Sequence, residues 1–333
     1  MMKERIWGVL VGGALGDAMG MPTECWSQEK IFRLYPEGIK ELLPSDEHDA
    51  FGRKMVAGEV TDDTINTVMI YEMIVANNGQ INAQAYVNQL LKWNNESGVS
   101  AYVSGPSTLK ALEKIAKGMP LTETGIAGTT NGASMRIAPV GIISDYRQLE
   151  QLVERVYQIC LPTHNTKIAI AGASAVAAAV SYVVRGGTSM TGLWQLAYDT
   201  LAVAEAYGYD FPAASLRFRM EQAQRILAEE TDQRTILARL YEEVGSGVET
   251  IETIPCVFAI VQMAQGDPLK AAQLSASLGW DTDTIGAISS SICGGMNPNF
   301  SAETVTQLET VTQLETVNQL NFKEMAAKLL PYC

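Results

Sequence analysis

Glycine recurs at every fourth position of the first apolar segment, and this spacing constrains the fold more than any other feature of the chain. The four glycines are Gly8, Gly12, Gly16 and Gly20. On a helix, residues four apart share one face, so the spacing predicts a ridge without side chains that a second backbone can approach closely. In membranes such a ridge marks helix pairing, whereas in a soluble chain it indicates tight packing in the core. Asp17 and the glycines interrupt the apolar run 6–21, so we interpret it as a buried helix rather than a signal peptide or a membrane span.

The composition favours an all-α protein. Hydrophobic residues make up 47% of the 333 residues, which is ample material for a core. Gly and Ala are plentiful, alternating β-branched or aromatic runs are scarce, and no linker divides the chain. We therefore predict a single helical domain, with residues 1–300 as its main body and 301–333 as a tail that belongs to the same domain.

The net charge and the cysteines limit which partners and which cellular location we expect for the protein. A net charge of −13 argues against binding to nucleic acid or to an anionic membrane. The five cysteines are odd in number, scattered and without a CxxC pair. They are typical of reduced thiols, so we expect a cytoplasmic location.

Amphipathic patterns predict further helices after the first one. We expect them over residues 83–93, 106–117, 167–184, 193–206, 213–229, 233–244, 251–265, 268–278 and 322–330. Residues 22–60 are expected to be irregular, with a solvated loop at 44–53. A hexapeptide repeat starts at Glu303, Glu309 and Glu315, and because a period of six drifts around a helix, we expect an extended loop or irregular helical turns there.

Two acidic tetrapeptides stand at the starts of predicted helices. Each holds two aspartates and two threonines: Thr61-Asp62-Asp63-Thr64 and Asp281-Thr282-Asp283-Thr284. One capping side chain satisfies a helix N-terminus, so the surplus of oxygen-bearing side chains indicates a ligand. An all-oxygen set favours hard cations such as Mg²⁺, Mn²⁺ or Ca²⁺ over zinc. Four carboxylates suit two ions about 3.5–4 Å apart, provided that the two motifs meet in space.

Two other segments are weaker candidates. The turn Gly128-Thr129-Thr130-Asn131-Gly132 is rich in glycine and hydroxyl groups, so its N–H groups can cradle a phosphate or simply form a capped loop. His164 lies in a turn before an Ala-rich helix, where a capping or hydrogen-bonded histidine is an equally good interpretation. Asp17 is expected to be a hydrogen-bonded core acid or to lie near a site.

Taken together, the motifs resemble a known family. They are Gly12-Gly13-Ala14-Leu15-Gly16-Asp17-Ala18-Met19-Gly20 with Glu24, the two acidic tetrapeptides, Asn131-Gly132-Ala133-Ser134-Met135-Arg136, and Thr163-His164. In this order they resemble the ADP-ribosylglycohydrolases, which include the dinitrogenase-reductase-activating glycohydrolase and the ADP-ribosylarginine and ADP-ribosylserine hydrolases. The resemblance implies an all-α orthogonal bundle with two Mg²⁺ ions, or Mn²⁺, at the bottom of a cleft.

The resemblance also implies roles for individual residues. The metal ligands would be Thr61, Asp62, Asp63, Asp281, Asp283 and Thr284. Glu24 matches the family's mobile glutamate, and either Glu24 or Asp283 would orient the attacking water. Gly128, Asn131 and Gly132 would contact ADP-ribose, His164 would lie near its phosphates or distal part, and Arg136 would hold the loop.

The implied reaction is hydrolysis at C1″ of ADP-ribose attached to a protein side chain or a small acceptor. A metal-bound water would attack, and nearby carboxylates would stabilise the oxocarbenium character that develops at C1″. Two alternatives remain open at this stage. One is an N-glycosidase for a small nucleoside or nucleotide, and the other is a catalytically silent ADP-ribose-binding protein.

Overall fold

The computed structural model of the protein describes residues 1–98, 105–298 and 305–333. These residues form seventeen α-helices and no β-strand, which confirms the predicted all-α fold class. The first eight helices are α1 (Met2–Gly20), α2 (Gln28–Leu34), α3 (Asp62–Ala76), α4 (Ala83–Glu96), α5 (Pro106–Ala116), α6 (Leu121–Thr124), α7 (Ala138–Ile143) and α8 (Leu149–Cys160). The others are α9 (Lys167–Val184), α10 (Met190–Ala204), α11 (Leu216–Glu229), α12 (Gln233–Arg239), α13 (Thr250–Ala264), α14 (Pro268–Ala276), α15 (Thr282–Met296), α16 (Val305–Asn318) and α17 (Phe322–Leu329).

The glycine ridge of α1 packs directly on the backbone of α15. A Cβ atom at Gly8, Gly12 or Gly16 would overlap the carbonyl oxygen of Gly294, Ser290 or Gly286, respectively. The two helices therefore touch main chain to main chain along most of their length, which only a residue without a side chain permits. This confirms the close backbone approach predicted from the sequence.

The end of α1 is tied to the start of α15 by hydrogen bonds as well. The Thr282 hydroxyl donates to the Gly20 carbonyl oxygen at 2.8 Å. The Thr23 hydroxyl lies 3.2 Å from the Thr282 hydroxyl and 2.8 Å from the carbonyl oxygen of Ala276. All of these groups are buried, so each bond satisfies polar atoms that have left water. The contacts fix the N-terminus of α15 beside the C-terminus of α1.

Most helices lie where the amphipathic patterns place them. Helix α9 spans the predicted range 167–184, and its 18 residues are apolar enough to cross a membrane by length and composition. However, 78% of this window is buried inside the protein, as in the central helix of a packed core. Helix α2 lies within the stretch predicted to be irregular, where the Ser27 side chain caps it by accepting from Lys30 N. Helices α7 and α8 were not predicted either.

The prediction for the hexapeptide repeat was wrong. Within the described residues the repeat forms the regular helix α16 rather than a loop or irregular turns. Val311 and Leu314, three residues apart in one repeat, are both buried. Because a spacing of three places them on one helix face, this repeat packs both of its apolar residues against the core. Because six residues are not a whole number of helical turns, successive repeats face different directions around the helix. This does not prevent Val311 and Leu314 from packing together.

Two residues of α16 make long-range hydrogen bonds, and one of them, Asn318, departs from the repeat. Asn318 stands where the two earlier repeats have threonine. Its Oδ1 accepts from Val60 N at 3.1 Å, and its Nδ2 donates to the Gly58 carbonyl oxygen at 2.8 Å. Gln313 Nε2 donates to the Ala57 carbonyl oxygen at 2.7 Å. Helix α16 thereby holds the segment that leads into the first acidic tetrapeptide.

The glycine ridge predicts that substitution of two nearby glycines of α1 changes stability to very different extents. Gly16→Ala places a Cβ against the main chain of Gly286 and should destabilise the protein by about 2–4 kcal/mol. Gly13 is the matched control, because its Cβ would meet Ala287 and Ser291 at 3.8 Å, an ordinary contact. Gly13→Ala should change stability by no more than about 1 kcal/mol. Chemical denaturation measures both variants, and equal stabilities would contradict the packing.

The Asn318 contacts predict a second stability difference. Asn318→Thr restores the repeat but removes both bonds to the main chain of residues 58–60, and it should lower stability by about 1–2 kcal/mol. Thr316→Asn, the reverse change at an exposed position of the same helix, should be nearly neutral. Hydrogen exchange of residues 57–61 should accelerate in the first variant alone. Unchanged exchange there would show that the Asn318 side chain does not hold this segment.

Candidate functional site

The two acidic tetrapeptides meet at the bottom of a cleft. The first opens α3, where the Thr61 side chain caps the helix by accepting from Asp63 N. The second opens α15, and the Thr284 hydroxyl donates to Asp63 Oδ1 across the two motifs at 3.3 Å. The four aspartates are 2–7% exposed. The structure thus supplies the spatial proximity on which the metal hypothesis depends.

Asp17 of α1 completes the cluster. It accepts hydrogen bonds from Thr61 N, Thr64 N and the Thr64 hydroxyl. Its carboxylate also forms a group with Asp63 and Asp283 in which one ligand atom of each lies within 4.8 Å of the others. Glu24, Asp281 and Asp283 form a second such group. Asp17 is therefore both a hydrogen-bonded core acid and part of the site, and Asp283 belongs to both groups.

The crowding of these carboxylates shifts their pKa values upward. Burial, followed by the charge of Asp283, raises the pKa of Asp17 to about 6. The same two causes, in the same order, raise the pKa of Glu24, Asp62, Asp63 and Asp281 well above their ordinary values. Clustered carboxylates without a counter-ion disfavour each other's charged form. The cluster consequently gains stability from bound positive charge.

The unpartnered atoms of the cluster fit a divalent cation. Asp63 Oδ2 and Asp283 Oδ1 are buried and have no hydrogen-bond partner in the structure. A buried carboxylate oxygen without a donor is costly unless a cation occupies its lone pairs. The donor atoms are all oxygens, which suits Mg²⁺ or Mn²⁺. Either carboxylate group could hold a metal ion, and Asp283 belongs to both.

Three other predicted metal ligands lie beside the two carboxylate groups. Asp62 lines the cleft but belongs to neither carboxylate group. The Thr61 hydroxyl accepts a hydrogen bond from Asp63 N at 3.4 Å, and Thr284 lines the cleft beside Asp283. Their coordination of a metal stays a prediction.

The cleft above the carboxylates has both polar and apolar walls. The described residues that line it are Glu24, Phe51, Arg53, Asp62, Asp63, Gly105, Thr108, Thr130, Asn131, Gly132, Met135, Val248, Asp281, Asp283 and Thr284. Two of the predicted substrate-binding residues, Asn131 and Gly132, are among them. Asn131 Nδ2 donates to Thr253 Oγ1 at 2.7 Å and to Asp281 Oδ2, so this amide also orients one carboxylate of the cluster.

His164 and Gly128, the other two predicted substrate-binding residues, are not among the described residues that line the cleft. His164 is fully buried. Its Nδ1 lies 2.7 Å from Thr163 Oγ1 and its Nε2 lies 3.0 Å from Thr130 Oγ1, so both ring nitrogens have partners. Burial, together with the charge of Arg136, lowers the pKa of His164. A neutral His164 therefore supports Thr130, which lines the cleft, from behind.

Gly128 allows the loop that carries Thr130 to pack closely against the turn at residues 163–166. A Cβ at Gly128 would overlap the Thr163 carbonyl oxygen, and the Gly128 carbonyl oxygen accepts from the Thr166 hydroxyl at 2.6 Å. Arg136 is fully buried and donates to Thr163 Oγ1 at 2.6 Å. The loop that carries Thr130 and Asn131 thus rests on the turn at residues 163–166. The holding role expected for Arg136 agrees with this contact.

Sequence reasoning missed Arg53. Residues 44–53 were predicted to form a solvated loop, and His48 is indeed exposed, but Arg53 is 8% exposed and lines the cleft. Its guanidinium contacts Glu24 Oε2 at 2.5 Å and Asp49 Oδ2 at 2.7 Å. The spacing of Asp49 and Arg53 was the only signal, and it is equally typical of an exposed ion pair.

Two residues with left-handed backbone conformation flank the cluster. Cys25 follows Glu24 with φ 63°, and Trp280 precedes Asp281 with φ 66°. Cys25 N donates to the Trp280 carbonyl oxygen at 2.7 Å, and Trp280 N donates to the Trp26 carbonyl oxygen at 2.8 Å. Residues other than glycine rarely adopt this conformation and need surrounding contacts to maintain it. These bonds join the segments that present Glu24 and Asp281.

Comparison with known proteins gives a consistent result. A sequence model of the ADP-ribosylglycohydrolase family matches residues 1–329. The chain is 34% identical over 302 residues to the uncharacterized protein YegU of Escherichia coli (strain K12), covering 89% of each chain. It is 31% identical over 294 residues to an uncharacterized protein of Archaeoglobus fulgidus, covering 88% of each.

More distant proteins share the whole length. The chain is 22% identical over 325 residues to the ADP-ribosylhydrolase ARH3 of Xenopus tropicalis, covering 87% of this chain and 86% of that one. Among solved structures, a chain of an ADP-ribosylglycohydrolase-related protein complex superposes with a TM-score of 0.64 at 19% identity. That match covers 96% of this chain and 98% of the other, and it shows the shared fold.

The raised pKa values predict that metal stabilises the protein most at higher pH. The pKa of Asp17 rises from 3.8 to about 6 on folding, so the folded metal-free protein binds more protons than the unfolded chain in this window. Its stability therefore falls as the pH rises through that window and stays reduced above it. Mg²⁺ should raise Tm by roughly 5 °C or more at about pH 7.5, and by much less at about pH 5. Scanning calorimetry with Mg²⁺ or chelator tests this. A Tm that is the same in Mg²⁺ and in chelator, at both pH values, would exclude a metal at the cluster.

Proposed function

Because this chain belongs to the ADP-ribosylglycohydrolase family, we propose that it is a metal-dependent hydrolase that cleaves the glycosidic bond at C1″ of ADP-ribose. The acceptor would be a protein side chain or a small molecule. The observation that supports this most is the cluster of buried carboxylates with unpartnered oxygens at the bottom of the cleft. Such a cluster is costly for a purely structural role, since buried acids without counter-ions destabilise a fold.

Two divalent ions, Mg²⁺ or Mn²⁺, fit the two carboxylate groups. Asp17, Asp63 and Asp283 would surround one, and Asp281 and Asp283 would hold the other, with Glu24 beside them. Ions bound there would polarise the ribose hydroxyls and lower the pKa of a bound water. Asp62, Thr61 and Thr284 lie beside these groups and would complete the ligand set.

The residues around the cluster have separate tasks in this reaction. Asp283, which belongs to both carboxylate groups, is best used as a shared ligand. Glu24 is the better candidate for the base, because it lies at the wall of the cleft and has one oxygen not bonded to Arg53. Glu24 Oε1 would accept a proton from the attacking water. The carboxylates below would stabilise positive charge that develops at C1″ as the leaving group departs.

The upper part of the cleft would hold the rest of the substrate. The Asn131–Gly132 turn and Thr130 provide polar groups, and Phe51 and Val248 provide apolar surface. The name of the Xenopus tropicalis relative, an ADP-ribosylhydrolase, is consistent with ADP-ribose as the shared part of the substrate. We therefore propose that the acceptor, rather than the ADP-ribose unit, distinguishes this protein from its relatives.

Release of ADP-ribose from a substrate panel tests the proposal. The panel contains ADP-ribosyl-arginine and ADP-ribosyl-serine peptides, O-acetyl-ADP-ribose and simple nucleosides, each with Mg²⁺, Mn²⁺ or chelator. We expect metal-dependent release from an ADP-ribosyl linkage and a loss of about a thousandfold or more in the Asp62→Asn/Asp283→Asn variant. The control variant Asp199→Asn/Asp210→Asn removes two exposed aspartates and should retain full activity.

Each other outcome supports a different function. Cleavage of nucleosides alone would indicate an N-glycosidase for small nucleosides or nucleotides. Tight binding of ADP-ribose without turnover of any substrate would indicate a silent binding protein. Full activity in chelator, with the variant unaffected, would exclude the metal mechanism.

A further inference from the structure

The buried ion pair between Arg53 and Glu24 is part of a larger constraint. Arg53 Nη1 bonds Glu24 Oε2 at 2.5 Å. Arg53 Nη2 donates to the Met21 carbonyl oxygen at 3.2 Å, in the 3₁₀ turn Met21–Thr23 that immediately precedes Glu24. One guanidinium therefore holds both the side chain of Glu24 and the backbone turn that carries it.

Asp49 fixes the guanidinium from the other side. Arg53 Nε lies 3.1 Å from Asp49 Oδ1 and 3.0 Å from Oδ2, and Arg53 Nη2 lies 2.7 Å from Oδ2. Asp49 Oδ1 also accepts from Phe51 N at 2.9 Å and from Arg53 N at 3.0 Å. The bidentate pairing of a planar guanidinium with a carboxylate specifies its orientation. The segment 49–53 is thus a closed unit although it has no regular secondary structure.

These contacts leave Arg53 little capacity to bind a substrate. All three of its guanidinium nitrogens have protein acceptors, and its side chain is 4% exposed. Glu24, in contrast, has one carboxylate oxygen bonded to Arg53 and forms a group with Asp281 and Asp283. A residue most of whose donors already bond protein acceptors acts on the reaction chiefly through the group it holds.

We propose that Arg53 is a positioning residue for Glu24, and that Asp49 anchors it. By binding Glu24 Oε2, Arg53 holds the Glu24 carboxylate beside Asp281 and Asp283. The contribution of this geometry to catalysis depends on the proposed function, since it presumes that Glu24 serves the hydrolytic site. The contact of Arg53 with Phe51, whose ring centroid lies 4.8 Å from the guanidinium carbon, extends the same unit to the mouth of the cleft.

The first test is a double-mutant cycle in the intact protein with its best substrate. Arg53→Lys keeps the charge but cannot reproduce the fork of contacts to Glu24, Asp49 and Met21. We expect it to lower kcat by about 10- to 100-fold and to change KM by less than about threefold. In a Glu24→Gln background it should lower kcat no further, because the residue it acts through is already removed.

Asp49→Asn and Arg147→Ala complete the set. Asp49→Asn should lower kcat less than Arg53→Lys and should also have no effect in the Glu24→Gln background. Arg147, exposed and paired with Asp145 away from the cleft, is the matched control and should leave kcat unchanged. Wild-type kcat in Arg53→Lys, or losses that multiply with Glu24→Gln, would overturn the proposal. Multiplied losses would show that Arg53 acts on the substrate directly.

The second test needs no turnover and separates this inference from the proposed function. Hydrogen exchange with mass spectrometry follows residues 21–26 and 45–53. Arg53→Lys should accelerate exchange in residues 21–26, and Glu24→Gln should accelerate it less, because the bond from Arg53 to the Met21 carbonyl oxygen remains. The double variant should exchange no faster than Arg53→Lys alone, and Arg147→Ala should have no effect. If the wild type cleaves no substrate but this pattern appears, the proposed function fails and the link between Arg53 and Glu24 stands. Unchanged exchange in Arg53→Lys would overturn the link itself.

Discussion

The contact between the backbones of α1 and α15 determines how close together the acids on these two helices lie. The glycine ridge allows α1 to meet the main chain of α15 without intervening side chains, and Thr282 then bonds to Gly20 at the end of the ridge. This places Asp17 on one helix within ligand distance of Asp283 on the other. A single side chain inserted between the helices would separate them, because a packed core does not absorb extra volume without moving.

Because the acids lie so close together, their negative charges repel one another, and the surrounding residues compensate for this repulsion only in part. Thr61 and Thr64 donate hydrogen bonds to Asp17, Asn131 donates to Asp281, and Arg53 pairs with Glu24. Neutral donors and the Arg53 guanidinium bond some of the carboxylate oxygens, whereas Asp63 Oδ2 and Asp283 Oδ1 have no partner among the described residues. That arrangement suits a site whose missing positive charge comes from bound ions.

The parts of the site that the sequence predicts are those encoded by local pattern. A glycine spacing of four and a surplus of acids at a helix start each have a local meaning, and both were confirmed as structural features. The contacts of His164, Arg53 and Asn318 were not predicted, because these partners lie tens or hundreds of residues away in the chain. The left-handed conformations at Cys25 and Trp280 gave no signal either, since neither residue type favours them.

The irregular segment before α3 shows why these long-range contacts matter for the site. It carries Phe51 and Arg53 into the cleft and continues into Thr61, yet it lacks a helix after α2 to give it rigidity. Its order comes instead from several polar ties, among them Arg53 to Glu24, Ser45 to Met55, Ile39 to Ser277, and residues 57–60 to α16. Each tie bonds polar side chains or main chain rather than burying a large apolar surface. The wall of the cleft can therefore differ between relatives with little disturbance to the helices that hold the carboxylates.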